Sequence, residues 1–221
     1  MRTDIKHVEK LENFIRQVIK PLSGLPFYLI IESISGFEVI QYDDTNDNHN
    51  DILIKLKEVA QHACKAINKK GIVRRRANEV GNDIEKYVIT ALQAQGIEAQ
   101  IPVAQSGKRK VSGYPDIEII IDETQKHYIE CKTYSHDTID SSFRSFYLSP
   151  SADPKISHDA IHFIIGFETY AEKTVKKGNL YKVKAWKILD AYALECDVKH
   201  EFNSDNARLY IPTLILAEGD A

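Results

Sequence analysis

Two carboxylates and a lysine are spaced along this chain in a way that suits phosphodiester chemistry. Asp116 opens an apolar segment typical of a strand, and fourteen residues later a second such segment carries Glu130, Cys131 and Lys132. Carboxylate oxygens are hard ligands that hold Mg²⁺ through one or two direct contacts, and the ion then coordinates substrate phosphate. A lysine adds a mobile cation beside the attacking water. These residues predict a metal-assisted phosphodiesterase centre.

The two strands form this centre only if they place the side chains on one face. Side chains alternate along a strand, and opposed residues of an antiparallel pair share a face. The apolar sides of both strands face the core together only if the residue numbers of two paired residues add up to an even number. This condition predicts an odd-length loop or a bulge around residues 123–125. Asp116, Glu118, Glu130 and Lys132 then share a polar face, on which three carboxylates need a cation. The alternative is an amphipathic hairpin whose acidic face only contacts water.

A predicted helix before the hairpin supplies a third acid. The pattern predicts this helix over residues 79–95, with Gly96 as its stop. Glu85 adjoins the apolar stripe of the helix, so its carboxylate can be partly buried, whereas Glu79 lies near the helix start. Under the alternative interpretation, Glu79 only favours the helix dipole and Glu85 pairs with a neighbouring lysine.

The strings Pro115-Asp116 and Glu130-Cys131-Lys132 resemble the signature of the PD-(D/E)XK nuclease superfamily, which contains most type II restriction endonucleases. An acid-bearing helix before the hairpin and a helix-then-strand pattern after it extend the resemblance over residues 78–168. The resemblance implies an α/β (α+β) fold: a restriction-endonuclease-like core, with a central mixed β-sheet flanked by helices, plus an N-terminal helix and hairpin elaboration.

The resemblance also implies a ligand set for the metal. Asp116, Glu130 and the backbone carbonyl of Cys131 would bind Mg²⁺, and Mn²⁺ would substitute for it. Glu85 is the expected helix acid, in a pattern like Gly81-x-x-x-Glu85, and Glu79 is the second candidate.

The function implied by the resemblance is that of a type II restriction enzyme, a Mg²⁺-dependent, sequence-specific endonuclease that acts on double-stranded DNA as a homodimer. The ion would polarise the scissile phosphate and acidify a water, while Lys132 would orient or help to deprotonate that water for in-line attack. Cleavage would leave 5′-phosphate and 3′-hydroxyl ends. Two alternatives stay open: a structure-selective nuclease, such as a Holliday junction resolvase or repair nuclease, and a DNA-binding module that has lost activity.

A net charge of −3 provides no global positive field, so DNA must bind through local patches. One predicted patch is a flexible loop that leads into Asp116, and another is the polar, aromatic stretch over residues 136–147, whose aromatic side chains could equally be plain packing. The residues predicted to contact DNA are Lys108, Arg109, Lys110, Ser112, Tyr114, Ser141, Ser142 and Arg144.

The rest of the chain predicts how this core is elaborated. Residues 1–75 are expected to form an N-terminal elaboration that supports dimerisation, DNA contact or only a thicker core. Residues 76–221 are expected to form the nuclease core, and both parts are expected to belong to one compact domain. The predicted helices lie at 4–20, 52–68 and 187–194, and the predicted strands at 27–33, 37–42, 161–167, 180–186 and 209–216.

Composition predicts the compartment. The three cysteines form an odd set without a CxxC pair, which favours reduced thiols in the cytoplasm. No apolar run is long enough to cross a membrane, so we expect no membrane partner.

Overall fold

The computed structural model describes residues 5–20, 22–110, 112–121, 125–135, 137, 139, 145–199, 204–209 and 211–217. The chain forms two compact units: the first joins Met1–Leu25 with Glu195–Ala221, and the second is Pro26–Leu194. The functional division at residue 75 stays a prediction. No helix among the described residues combines the length and apolar character needed to span a membrane.

In chain order the elements are α1 (Ile5–Val18), β1 (Leu22–Pro26), α2 (Phe27–Ser35), α3 (Asp47–Lys70), β2 (Ile72–Arg74), a 3₁₀ helix (Ala77–Glu79), α4 (Gly81–Ala94), β3 (Glu98–Gln100), β4 (Ile117–Ile121), β5 (Gln125–Tyr134), β6 (His162–Val175), β7 (Gly178–Asp190), β8 (Glu195–Val198) and α5 (Asn206–Leu209).

A six-stranded mixed sheet forms the centre of the second unit, with the strand order β2-β7-β6-β5-β4-β3. Neighbouring strands are antiparallel except β5 and β6, which are parallel. The buried segment predicted at 161–167 is the start of β6, the third strand from the β2 edge. The predicted mixed sheet flanked by helices is therefore confirmed.

Each face of this sheet packs against its own apolar cluster. One face carries Ile117, Ile119 and Ile129 and is covered by the apolar sides of α3 and α4. The other face carries Tyr128 and Ile164, which pack with a second cluster. The members of that second cluster outside the sheet include Phe27, Tyr114 and Ile156. Because both faces are covered, polar side chains on the sheet become buried and must find partners.

Helix α4 extends where its pattern predicts, from Gly81 to Ala94. Its buried positions Ile84 and Val88 lie one turn apart, and Gly96 follows the helix with a φ of 73°. The N-cap is Val80, which provides no side-chain cap. Asp83 near the helix start instead accepts hydrogen bonds from Arg74, with Nε–Oδ2 at 2.6 Å.

The predicted hairpin over residues 27–42 is wrong, because its first half is helix α2. Phe27 and Ile31 are both fully buried and lie one helical turn apart, and Gly36 ends the helix with a φ of 79°. A short apolar run rich in isoleucine and aromatic residues fits a buried strand as well as a buried helix. Phe27 and Ile31 both pack into the second cluster, and this packing stabilises the helix.

Two predictions near the C-terminus are also wrong. The helix predicted at 187–194 is the end of β7, which stays paired with β6 as far as Asp190 opposite Phe163. The strand predicted at 209–216 is absent from the described part of that stretch, where residues 212–214 form a turn. In the first unit, α1 confirms the predicted N-terminal helix, and β1 pairs with β8, which the sequence did not predict.

Candidate active site

The register of β4 and β5 sets which side chains share a face. Ile117 lies opposite Ile129, and Glu118 lies opposite Tyr128, so the two residue numbers of each pair add up to an even number. Ile121 pairs with Gln125, which leaves three positions between them and confirms the predicted odd-length connection. Asp116, directly before β4, is thereby brought to the same end of the hairpin as Glu130.

Asp116 and Glu130 form a close carboxyl pair. Oδ2 of Asp116 accepts a hydrogen bond from the backbone N–H of Cys131 at 2.9 Å. The Asp116 carboxyl also lies within hydrogen-bonding reach of the Glu130 side chain. Glu130 is only 4% exposed, and its Oε2 atom is buried without a hydrogen-bond partner among the described residues. One carboxylate oxygen of the pair therefore lacks the partner that burial demands.

Burial perturbs the ionisation of both acids. It raises the pKa of Asp116, although the N–H of Cys131 partly opposes the rise. Burial, together with the negative charge of Asp116, raises the pKa of Glu130 to about 7. Two buried carboxylates this close repel each other when both are ionised, and a cation between them would relieve that repulsion.

Lys132 adds a positive charge beside the pair. Its Nζ atom donates a hydrogen bond to Oε1 of Glu130 at 2.5 Å and lies 5.4 Å from the centre of the Phe146 ring. The side chain is partly exposed. The lysine can therefore contact both the carboxyl pair and a ligand that approaches from solvent.

Glu85, on α4, is the helix acid that faces this centre. It is half-buried, and its pKa is raised by burial and by the charge of Asp116. Glu79 instead accepts a hydrogen bond from the backbone N–H of Arg75 at 3.2 Å. Within the described residues, no group of three or more His, Cys, Asp or Glu side chains lies close enough to hold a metal ion. Glu85 interacts electrostatically with Asp116 and Glu130, and its predicted role as a metal ligand stays a prediction.

Glu118 shares the face of Glu130 but has a different environment. Its Oε2 atom accepts a hydrogen bond from Nε2 of Gln100 at 2.7 Å. Its Oε1 atom lies 3.7 Å from Nδ1 of His158 and 4.0 Å from Nζ of Lys126. One oxygen is therefore hydrogen-bonded outside the centre, and the other has longer contacts with groups outside it.

Lys155 is a residue that sequence reasoning missed. It is only 3% exposed, and its Nζ atom donates hydrogen bonds to the backbone carbonyls of Gly113, at 2.7 Å, and Pro115, at 3.2 Å. Burial lowers its pKa, while the charges of Asp116 and Glu130 oppose the fall. No local motif marks this lysine, which follows a polar loop far along the chain from the hairpin.

The residues predicted to contact DNA differ in their exposure and in the partners that they already have. Lys108 and Arg109 are exposed, as is Ser112. Lys110 pairs with Asp153, with 3.2 Å between Nζ and Oδ2.

Tyr114, also predicted to contact DNA, is buried, and its hydroxyl is in hydrogen-bond contact with Nδ1 of His162 at 2.6 Å. That hydroxyl therefore already has a hydrogen-bond partner inside the protein. Ser141, Ser142 and Arg144 lie outside the described residues, so their DNA contacts stay predictions.

Comparison with known proteins gives two matches. Residues 22–213 match the sequence model of the "Type II restriction enzyme MjaV family". The curated protein Type II restriction enzyme MjaV, from Methanocaldococcus jannaschii, is 34% identical to this chain over 232 residues, which covers 98% of each chain. The matched range includes Glu85, Asp116, Glu130 and Lys132.

Proposed function

Because this chain belongs to the type II restriction enzyme MjaV family, it is a sequence-specific DNA endonuclease, and we propose that Asp116, Glu130 and Lys132 form its catalytic centre. The observation that carries this proposal is the buried carboxyl pair, in which one oxygen of Glu130 has no hydrogen-bond partner in the described part of the chain and a lysine stands beside it. A structural ion pair would satisfy both oxygens, whereas a catalytic centre leaves one for a ligand.

The donor set fits a divalent metal ion, which type II restriction enzymes generally require. Asp116, Glu130 and the Cys131 carbonyl provide hard oxygens, and Mg²⁺ is typically bound through one or two carboxylates while it keeps several waters. We assign the site to Mg²⁺, with Mn²⁺ as a substitute. When bound, the ion would supply positive charge to the phosphate and acidify a water.

The side chains of the chain itself position the reactants. Lys132 is already in hydrogen-bond contact with Glu130, so its ammonium group would donate to the attacking water or to a phosphate oxygen and fix the line of attack. Glu85 adds negative charge behind Asp116, which favours the binding of a cation. We expect hydrolysis to leave a 5′-phosphate and a 3′-hydroxyl, as the resemblance to the nuclease superfamily implies.

Lys155 has a positioning role in this proposal. Its two hydrogen bonds hold the carbonyls of Gly113 and Pro115, directly before Asp116. The buried ammonium also offsets the charge of the carboxyl pair. The direction of the Asp116 side chain therefore depends on a lysine that does not touch the substrate.

DNA would be held by exposed groups near the same loop. Lys108, Arg109 and Ser112 are exposed and can reach phosphates, whereas Lys110 is occupied by Asp153. We also propose a homodimer, because two-fold symmetry matches the palindromic sites that such enzymes read.

The direct test is digestion of a plasmid of known sequence with purified protein and Mg²⁺, followed by mapping of the fragment ends. Discrete fragments are expected from the wild type, and none from Asp116→Ala. A wild type that leaves linear duplex uncut but cleaves four-way junctions would favour a structure-selective nuclease. Equal cleavage by the wild type and by Asp116→Ala would remove the hairpin from catalysis.

A further inference from the structure

A row of residues next to the carboxyl pair runs across three strands on the same face of the sheet. Lys132 of β5 pairs with Gly166 of β6, and Gly166 pairs with Lys187 of β7. Directly paired residues on neighbouring strands point to the same face. Since neighbouring strands lie about 4.8 Å apart, the Cα atoms of the two lysines are about 10 Å apart. Lys187 is thus the nearest cation across the sheet from Lys132 along this row.

The middle of the row has no side chain of its own. A Cβ atom at Gly166 would lie 3.4 Å from Cε1 of Tyr134, so the tyrosine ring leans over the glycine. The hydroxyl of Tyr134 is buried and has no hydrogen-bond partner among the described residues. A buried hydroxyl without a partner is unfavourable unless a ligand provides one. The row therefore contains a hydrogen-bond donor that nothing in the described structure uses.

Lys187 is exposed, and its ammonium is available for an anion. Its Nζ atom lies 5.5 Å from the centre of the Tyr134 ring, and among the described residues it pairs with no carboxylate. The nearby acid Glu168, opposite Tyr134 in the next row, already contacts Lys184, with 3.6 Å between Oε1 and Nζ. Of the two lysines in the row, Lys132 is paired with Glu130, whereas Lys187 has no carboxylate partner among the described residues.

We propose that Lys187 and Tyr134 bind a phosphodiester of the DNA strand next to the phosphate that is cut. Lys132 serves the scissile phosphate, and the flexible stem of Lys187 brings a second ammonium to a neighbouring phosphate of the same strand. Because Gly166 has no side chain, the Tyr134 ring can lie over this position, between the two lysines of the row. This inference rests on the proposed function, because it takes Lys132 as the catalytic lysine.

The first experiment measures binding without cleavage. The wild type and Lys187→Met are titrated with a short fluorescent duplex of random sequence, in Ca²⁺, over a range of NaCl concentrations. Loss of one phosphate contact should reduce the slope of log affinity against log salt by about one unit and weaken binding by about tenfold at low salt. Lys65→Met is the matched control, because Lys65 is an exposed lysine on α3, which packs on the opposite face of the sheet.

A second variant separates ligand contact from fold stability. Tyr134→Phe removes only the hydroxyl, which has no partner in the free protein among the described residues. Its melting temperature should be equal to or above that of the wild type, while its affinity for DNA falls. A lower melting temperature with unchanged affinity would overturn the role of this hydroxyl.

The position of the phosphate is tested with neutral substitutions. Once plasmid mapping gives the cut site, duplexes are made with one methylphosphonate next to the scissile phosphate. The wild type should bind this duplex more weakly than the unmodified one, whereas Lys187→Met should bind both duplexes with the same affinity. Equal losses in both proteins, or a Lys187→Met variant with the wild-type slope, would overturn the proposal. If the wild type itself cuts no duplex, the proposed function fails instead, so the two failures are distinguishable.

Discussion

Glu118 and Glu130 lie on the same face of one hairpin and are almost equally buried, at 5% and 4% exposed. One oxygen of Glu118 accepts a hydrogen bond from Gln100, and the other lies 4.0 Å from the ammonium of Lys126 and 3.7 Å from His158. Glu130 accepts a hydrogen bond from Lys132 on one oxygen, its other oxygen has no hydrogen-bond partner among the described residues, and a second acid, Asp116, stands beside it. Burial alone therefore does not distinguish a structural acid from a functional one. The unpartnered oxygen does, because a stable fold normally satisfies its buried acceptors.

The largest expected effect is on cleavage. Glu130→Gln should lower the single-turnover rate with Mg²⁺ by at least about a thousandfold, because it removes a charged ligand needed only for chemistry. Binding of DNA in Ca²⁺ should persist. Glu118→Gln is the matched control: it should cut at close to the wild-type rate but lose about 1–3 kcal/mol of unfolding free energy. Equal loss of activity in both variants would erase the distinction between the two glutamates.

A smaller effect on rate is expected at Lys155. Lys155→Met leaves two carbonyls before Asp116 without their donor and should slow cleavage by about tenfold to a hundredfold. Lys155→Arg, which keeps the charge and donors, should recover part of the rate. The Mg²⁺ concentration that gives half-maximal rate should rise in the methionine variant, since the Asp116 carboxylate is then misdirected. A full rate in a folded Lys155→Met protein would show that the lysine serves the fold alone.

The stability of the metal-free protein should depend on pH in a definite direction. The pKa of Glu130 is raised to about 7 in the folded protein, from an ordinary value of 4.5. The folded state therefore loses stability as the pH rises from about 4.5 to about 7. Glu130→Gln should therefore be more stable than the wild type at pH 8 by about 1–3 kcal/mol, with the difference shrinking toward pH 4.5. Urea unfolding at both pH values measures this.

Added Mg²⁺ should stabilise the wild type at pH 8 and leave Glu130→Gln nearly unchanged, because only the wild type offers both charged ligands. Glu118→Gln should lose stability at pH 8, opposite to Glu130→Gln. A wild type that is more stable than Glu130→Gln at pH 8 without metal would contradict the strain assigned to the carboxyl pair.

The same contrast between partnered and unpartnered groups applies, with the smallest effect, to the basic loop. The double variant Lys108→Ala/Arg109→Ala should reduce the salt slope of DNA binding by up to about two units. Lys110→Ala should leave the slope unchanged and lower stability, because its ammonium is held by Asp153. A slope that changes only with Lys110 would reverse these assignments.

Much of the hairpin could be predicted because its information is local. Isoleucines occupy every position of one side of β4, Glu118 lies on the other side, and only registers of one parity bring the apolar sides of β4 and β5 to the core together. The helical spacing around Glu85 is local in the same sense. Helix α2 was mistaken for a strand because a short apolar run has no periodicity that separates the two structures. The end of β7 was missed because its pairing partner, β6, lies elsewhere in the sequence.

By itself, the sequence determined the type of chemistry, the register of the hairpin and which side chains share its face, since these follow from residue types and their alternation. Only the tertiary structure decided which glutamate has a buried oxygen without a hydrogen-bond partner among the described residues, and which one is held by groups outside the centre. Gln100 and His158 reach Glu118, and Lys155 reaches the carbonyls before Asp116 from 40 positions away. Such partners are set by how distant segments pack on the sheet, and a local pattern contains no record of that packing.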